Sequence, residues 1–370
     1  MRDVVREVDV AIIGGGQAGL ATGYYLRRAG LVPGENFVIL DAGDGPGGAW
    51  PRMWDGLRLF SPASFSSLPG LMMPPWNDAA LGFPPRQHVV DYLAAYESRY
   101  ELRPLRPHRV TRVQRVDDDP RGRVLVSAAG LDVHARVVVS ATGTWDQPFW
   151  PRYPAMETFA GEQLHAANYR NPDKLAERRV AVVGGGNSAA QILAEVSEVA
   201  ETFWFTLRPP RFLPDDIDGR VLFAEATQRV RALQEGREHA GVAGLGDIVM
   251  VPTVRRARDR GALQARPMFD RLTRDGVAWA DGNTEAVDTI IWCTGFRPTL
   301  RHLAPLGLRG REGRIATSGP SGTQAVGEPR LFLVGYGDWT GAASATLLGV
   351  GRTAGRTVAA INERLSLAGP

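Results

Sequence analysis

A glycine-rich turn between a short buried-type strand and a helix occurs twice in this chain, and that repetition constrains the fold more than any other feature. The first copy is Val8-Asp9-Val10-Ala11-Ile12-Ile13 followed by Gly14-Gly15-Gly16-Gln17-Ala18-Gly19, after which Leu20 to Ala29 reads as a helix stopped by Gly30. Gly14 permits the tight turn, Gly16 lets backbone approach a pyrophosphate, and Gly19 lets the helix pack on the strand. The N–H groups that open the helix then face the phosphates. The next strand, Phe37-Val38-Ile39-Leu40, delivers Asp41 at its end, where a carboxylate can accept hydrogen bonds from ribose hydroxyls.

The second copy is Arg179-Val180-Ala181-Val182-Val183, then Gly184-Gly185-Gly186-Asn187-Ser188-Ala189 and a helix through Val196. Alanine replaces the third glycine, which helix packing tolerates. The following strand, Phe203 to Leu207, leads to Arg208 rather than to an acid. An arginine there pairs with a 2′-phosphate that a carboxylate would repel, so the second site is expected to prefer NADPH.

Two dinucleotide sites in one chain imply a flavin beside a nicotinamide. Val137 to Gly143 and Thr289 to Gly295 are both buried-type strands closing on Thr-Gly, one before and one after the second glycine motif. The expected fold is therefore α/β, with two Rossmann-like dinucleotide-binding domains of the three-layer ββα FAD/NAD(P) type, one inserted in the other. Residues 1–150 and 285–370 are assigned to the FAD-binding domain and 151–284 to the NAD(P)H-binding domain. A last strand, Leu331 to Val334, leads to Gly337-Asp338 and a helix from about Ala342 to Arg364. Asp338 can bind a ribityl hydroxyl; the alternative is that Asp338 or Thr340 caps that helix.

Composition narrows the chemistry. The 370 residues exceed what one hydrophobic core usually holds, and 44% hydrophobic with 22% charged residues is ordinary globular composition. No apolar stretch approaches the ~18 residues that span a bilayer. The opening Met-Arg-Asp-Val-Val-Arg-Glu-Val has no long apolar core, so a cytoplasmic location is expected. Cys293 is the only cysteine, which excludes a dithiol centre within the chain, and Lys174 is the only lysine. A net charge of +3 with dispersed arginines argues against nucleic acid as a partner. The six histidines show no metal-ligand spacing, and in Pro214-Asp215-Asp216-Ile217-Asp218-Gly219 with Glu225 proline holds the first position of a calcium-type loop, so no metal is expected. The stretch Arg220 to Gly261 is expected to add helices to the nicotinamide domain.

Between the nucleotide motifs, Phe159-Ala160-Gly161-Glu162-Gln163-Leu164-His165-Ala166-Ala167-Asn168-Tyr169 matches the Phe-x-Gly-x-x-x-His-x-x-x-aromatic element of flavin-dependent monooxygenases. With Gly47-Gly48-Ala49-Trp50 and the Thr-Gly strands, the resemblance covers essentially the whole chain. The chain resembles the compact bacterial class B flavoprotein monooxygenases, including those found near arsenic-resistance genes. That resemblance implies a permanently held FAD reduced by NAD(P)H, and a C4a-(hydro)peroxyflavin that passes one oxygen atom to a small sulfide or amine, or to a ketone in Baeyer-Villiger fashion. It places Gly14, Gly16, Gln17, Ala18, Asp41, Gly48, Trp50, Leu59, Ser61, Val110, Thr142 and Asp338 at FAD. It places Gly184, Gly186, Asn187, Ser188, Thr206 and Arg208 at NADP. His165 is read as a hydrogen-bonded hinge element near the interdomain linker.

This sequence departs from the pattern at Ser61-Pro62, where eukaryotic members carry an asparagine beside the flavin; the reacting side chain, if there is one, is left open, with Ser61 a candidate. NADH is the alternative donor. Trp50, Trp54, Phe60, Phe65 and Leu71 to Trp76 are candidates for the apolar cover that keeps water from the flavin, and equally for ordinary core. The rival enzyme class is an NAD(P)H-dependent flavin reductase or oxidase that passes electrons to a quinone, ferredoxin or O2. The partners expected are O2 and a small-molecule substrate, with a homodimer left open.

Overall fold

The computed structural model describes residues 4–77, 82–221, 247–310 and 313–367. Sixteen strands and five α-helices alternate along them. In chain order these are β1 (Val4–Ile13), α1 (Gln17–Arg28), β2 (Phe37–Leu40), α2 (Arg86–Arg99), β3 (Val110–Arg115), β4 (Val124–Ala128), β5 (Leu131–Ser140), β6 (Glu162–His165), β7 (Arg179–Val183), α3 (Asn187–Val196), β8 (Glu201–Thr206), α4 (Pro252–Asp259), β9 (Ala265–Pro267), β10 (Arg271–Thr273), β11 (Gly276–Ala278), β12 (Thr284–Ala286), β13 (Thr289–Trp292), β14 (Thr317–Ser318), β15 (Gln324–Ala325), β16 (Leu331–Leu333) and α5 (Leu347–Leu367).

The first sheet runs β14-β15-β16-β5-β1-β2, with the β3-β4 hairpin joined to β5. Its centre is parallel: β1 pairs with β2 and β5, and β16 pairs with β5. Alternate residues of these strands feed opposite faces. Val10, Ile12, Phe37 and Ile39 meet α1, α2 and α5 on one side, whereas Ala11, Ile13, Val38 and Leu40 meet β3, β4 and the turn around Leu303 on the other. These are the three layers of a ββα dinucleotide-binding fold.

The second sheet is all parallel, ordered β6-β13-β7-β8-β9, and carries α3 and α4 on one face. Its other face is filled by Phe159, Phe205, Phe269 and Trp292, packed against the small β10-β11-β12 sheet. β13 lies inside this sheet between β6 and β7, although the boundary drawn at residue 285 places it with the outer unit. Its four residues are all buried, which only a doubly covered central position satisfies.

Three local expectations are revised. The first helix opens at Gln17, directly after Gly16, and not at Leu20. The last helix opens at Leu347 and not near Ala342, because Thr340 and Ser344 both donate their hydroxyls to the Gly337 carbonyl and hold 337–344 in a compact turn. The helix cap is neither Asp338 nor Thr340: Thr346 Oγ1 accepts the Gly349 N–H at 3.0 Å. Of the stretch 220–261, α4 is a helix, while residues 222–246, with Glu225, lie outside the described residues. No helix among the described residues is long and apolar enough to cross a membrane.

Candidate nucleotide sites

The first glycine turn is shaped by what presses on it. Gly14 has φ +109°, and a side-chain carbon there would end 2.5 Å from the Ala141 carbonyl oxygen at the end of β5. Gly48, at φ +60°, approaches Gly16 so closely that an added carbon would lie 2.7 Å from its Cα. Gly16 is the N-cap of α1 and brings no side-chain cap, so the first N–H groups of the helix are open to an anion. Gln17 ties the rim together: its Nε2 donates to the Ala345 carbonyl at 2.6 Å and its Oε1 accepts Trp50 Nε1–H at 3.2 Å. Ala18, 6% exposed, packs against the Gly335 turn after β16. The turn ahead of α5 and the glycine cradle thus share one rim.

Asp41 ends β2 as expected, 7% exposed, beside Gly15. It receives Arg106 Nε–H at 2.7 Å, and Arg106 also donates both terminal nitrogens to Glu97. The sequence reading missed Arg106, one of many arginines. Val110 starts β3, half-buried, just beyond His108, whose N–H is bonded to the Asp41 carbonyl. Leu59 lies in the core beneath the cradle. Thr142 follows β5; its hydroxyl donates to the Thr299 carbonyl at 2.6 Å and lies 2.7 Å from the Tyr336 hydroxyl, which in turn touches Ser140. Asp338 is exposed in the turn Gly337–Trp339. Ser61 is 4% exposed and its hydroxyl lies 2.9 Å from that of Ser66, which engages this candidate for a reacting side chain in a structural pair.

The second cradle repeats the first with differences. Gly184, at φ +133°, faces the Cys293 carbonyl, where an added carbon would be 2.3 Å away. Around Gly186, the N-cap of α3, there is open space and no side-chain cap. Thr206 is buried at the end of β8 beside Gly185, and exposed Arg208 follows with its carbonyl also against Gly185. Ser188 is half-buried on the first turn of α3. Asn187 is corrected in one respect: its side-chain amide is committed to the backbone of Asp247 and Val249, which leaves its N–H for a nucleotide. Burial pushes the Cys293 thiol up to about 12, so it carries no thiolate chemistry.

Two connecting segments join the sheets, and they pair with each other. Phe149 N–H donates to the Gly295 carbonyl, Arg297 N–H to Gln147, and Thr299 N–H to Gly143, at 2.9, 2.8 and 2.9 Å. His165 is fully buried against this ladder. Its Nδ1 accepts the Ala167 N–H at 3.0 Å, so the proton sits on Nε2 and is donated to the Gly295 carbonyl at 3.1 Å. Burial holds the ring below the ordinary imidazole range, against the opposing pull of that carbonyl, and His165 is a neutral, hydrogen-bonded element of the connection.

The units also touch through the loop after Trp50. Asp55 N–H donates to the Arg170 carbonyl at 2.8 Å, and Asn171 Nδ2 donates to the Asp55 carboxylate at 3.1 Å. Beneath them Glu195 of α3 presses on Gly56, beside Tyr169; burial, then the nearby carboxylates Asp55 and Glu198, push Glu195 up to about 7 against the lowering effect of the Tyr169 hydroxyl.

Comparison with known proteins agrees with this geometry. A family model described as pyridine nucleotide-disulphide oxidoreductase matches residues 11–207, from β1 through the second cradle. An uncharacterized CzcO-like oxidoreductase of Geobacillus kaustophilus is 31% identical over 291 residues, covering 78% of this chain and 80% of that protein. The rice indole-3-pyruvate monooxygenase YUCCA8 is 27% identical over 395 residues, covering 95% of this chain and 90% of its own. Among solved structures, a flavin-containing monooxygenase from Stenotrophomonas maltophilia superposes with a TM-score of 0.85 at 47% identity, covering 98% of this chain and 99% of that one. The chain thus belongs to the pyridine nucleotide-disulphide oxidoreductase family, as an FAD-dependent oxidoreductase of the class B flavin monooxygenase type.

Proposed function

We propose that the first cradle holds FAD, the second holds NADPH, and the chain catalyses NADPH-dependent transfer of one oxygen atom from O2 to a small sulfide or amine, or to a ketone. One observation carries the reading: two glycine cradles, each opening on an uncapped helix N-terminus, stand in one chain that has a single cysteine. A disulfide-reducing mechanism has no dithiol to use.

The residues fit the cofactors. Gly14 and Gly48 let the turn close against Ala141 and Gly16 where a side-chain carbon would collide, the uncapped start of α1 would offer its first N–H groups to the pyrophosphate, and Asp41, at the end of β2, would meet the ribose. Gly184, Gly186 and the start of α3 serve the second pyrophosphate, with Arg208 for the 2′-phosphate. When bound, FAD supplies the redox chemistry that links hydride from NADPH to oxygen. The chain's own residues bind, orient and exclude water. Gln17 fixes Trp50 over the rim, the Thr142–Tyr336 contact fixes where the connection leaves the first sheet, and buried Ser61 contributes packing. In this reading the FAD domain is built on the first sheet and the nicotinamide domain on the second, with 141–150 and 293–299 as the connection, and the enzyme works in the cytoplasm.

Purified protein is expected to be yellow, to oxidise NADPH faster than NADH, and to place one atom of isotopically labelled O2 in a sulfoxide, N-oxide or ester. Complete recovery of the reducing equivalents as hydrogen peroxide with every substrate offered would assign the chain to the oxidases instead.

A further inference from the structure

Asn187 opens α3 immediately after the second glycine turn, yet its side chain points away from a phosphate role. Its Nδ2 donates to the Asp247 carbonyl and its Oδ1 accepts the Val249 N–H, both at 2.9 Å, so the amide stands in for a peptide group and closes one rung of a ladder. The backbone it holds is itself paired: Leu213 N–H donates to the Ile248 carbonyl at 2.9 Å and Ile248 N–H to Arg211 at 2.8 Å. Val249, Met250 and Val251 anchor this rung in the core behind α3, each 2% exposed or less. The chain leaving Leu213 then crosses to the first unit. Gly219 N–H donates to the Phe60 carbonyl at 2.8 Å, and a side-chain carbon on Gly219 would lie 2.6 Å from Ser61 Cβ. Hydrogen bonds from the mouth of the second cradle to Leu213, continued by the chain from Leu213 to Gly219, therefore reach Phe60 and Ser61.

We propose that Asn187 is a positioning residue: it fixes the Arg211–Gly219 segment to the start of α3, so that the segment seals against Phe60 and Ser61 when the nicotinamide nucleotide is in its cradle. The inference rests on the reading of the chain as a monooxygenase, and it assigns the amide to retention of the oxygenating state rather than to nucleotide affinity. Opening the seal admits water and diverts reducing equivalents to peroxide.

The test uses the FAD-loaded enzyme and the variant Asn187→Ala. Loss of the two bonds between the Asn187 amide and the backbone should raise amide exchange at Leu213, Val249 and Gly219 by roughly tenfold. Peroxide formed per NADPH should rise several-fold with substrate present, while the NADPH Kd stays within about twofold of wild type, since no nucleotide contact is removed. A second variant, Gly219→Ala, forces the other end of the path off Ser61 and should give the same peroxide increase with the cradle untouched; if Asn187→Ala does not fold with FAD, this variant decides alone. A Kd weakened by about tenfold or more with unchanged exchange would make Asn187 a nucleotide ligand, and an unchanged peroxide yield in Gly219→Ala would remove the seal. Exchange is read without turnover, so failure of the wild type to oxygenate anything overturns the monooxygenase reading and not the latch.

Discussion

Gly19 of α1 lies so close beneath the Gly14 carbonyl that a side-chain carbon on it would end 1.9 Å from that oxygen. Helix and turn can meet at this distance only without a Cβ. Gly19→Ala is therefore expected to push α1 off the cradle and to lower stability by about 3 kcal/mol, with loss of bound FAD. The second cradle offers the contrast: Ala189 fills the corresponding place, fully packed at 1% exposure, so Ala189→Gly should leave nucleotide binding intact. Flavin absorbance per protein and Tm for the pair of variants check this; an FAD-saturated Gly19→Ala protein with unchanged Tm would contradict it.

Arg106 joins Asp41 and Glu97 where all three side chains are only 10–12% exposed. Arg106→Leu strands two carboxylates without their cation, which costs about 3–5 kcal/mol. Because one of them is the proposed ribose ligand, the variant should also release FAD. Glu97→Gln keeps an acceptor for Arg106 and leaves Asp41 paired, so its effect on FAD retention should be much smaller. Equilibrium unfolding and FAD titration of the two variants separate the roles.

What could be read in the sequence, and what could not, follows the range of the forces involved. Gly14 and Gly184 are legible because a left-handed turn against a neighbouring backbone excludes every other residue locally, Gly16 and Gly186 because their place in the motif puts them at a helix start, and Asp41 because a strand end fixes its place. Arg106 and Glu97 are not, since their value depends on side chains gathered from distant parts of the chain. The start of α5 departs from the sequence expectation because the hydroxyls of Thr340 and Ser344 close on the Gly337 carbonyl and hold 337–344 in a turn, a pairing that helical periodicity does not encode. The Asn187 amide has partners sixty residues away, so its motif position alone could not reveal them.

Arg208 is exposed beside Gly185, at the place a ribose-binding acid takes in the first cradle. A guanidinium bonded to a 2′-phosphate contributes about 1.5–3 kcal/mol. Arg208→Ala is thus expected to lower the NADPH-over-NADH ratio of kcat/KM by roughly 10- to 100-fold, with kcat for NADH unchanged. An unaltered ratio would remove Arg208 from nucleotide selection.

Glu195 gives the protein a pH dependence whose sign follows from its burial. Its ordinary value is 4.5, and in the folded chain it stands at about 7, pressed against Gly56 beneath the Asp55–Arg170 contact. The folded state therefore binds more protons than the unfolded chain between these values, and stability falls as pH rises through that window. Below about pH 4.5 both states are protonated and Glu195 adds no penalty; above about 7 the full cost of a buried carboxylate is present, roughly 3 kcal/mol. Glu195→Gln keeps the shape and removes the charge. Its Tm relative to wild type should climb between pH 5 and 8, with the variant the more stable of the two at pH 8, because other titrating groups cancel in the difference. Parallel Tm profiles for the two proteins across that range would mean that Glu195 is hydrated and ionised in the folded state, and that the docking of the loop at Gly56 on α3 is insensitive to its charge.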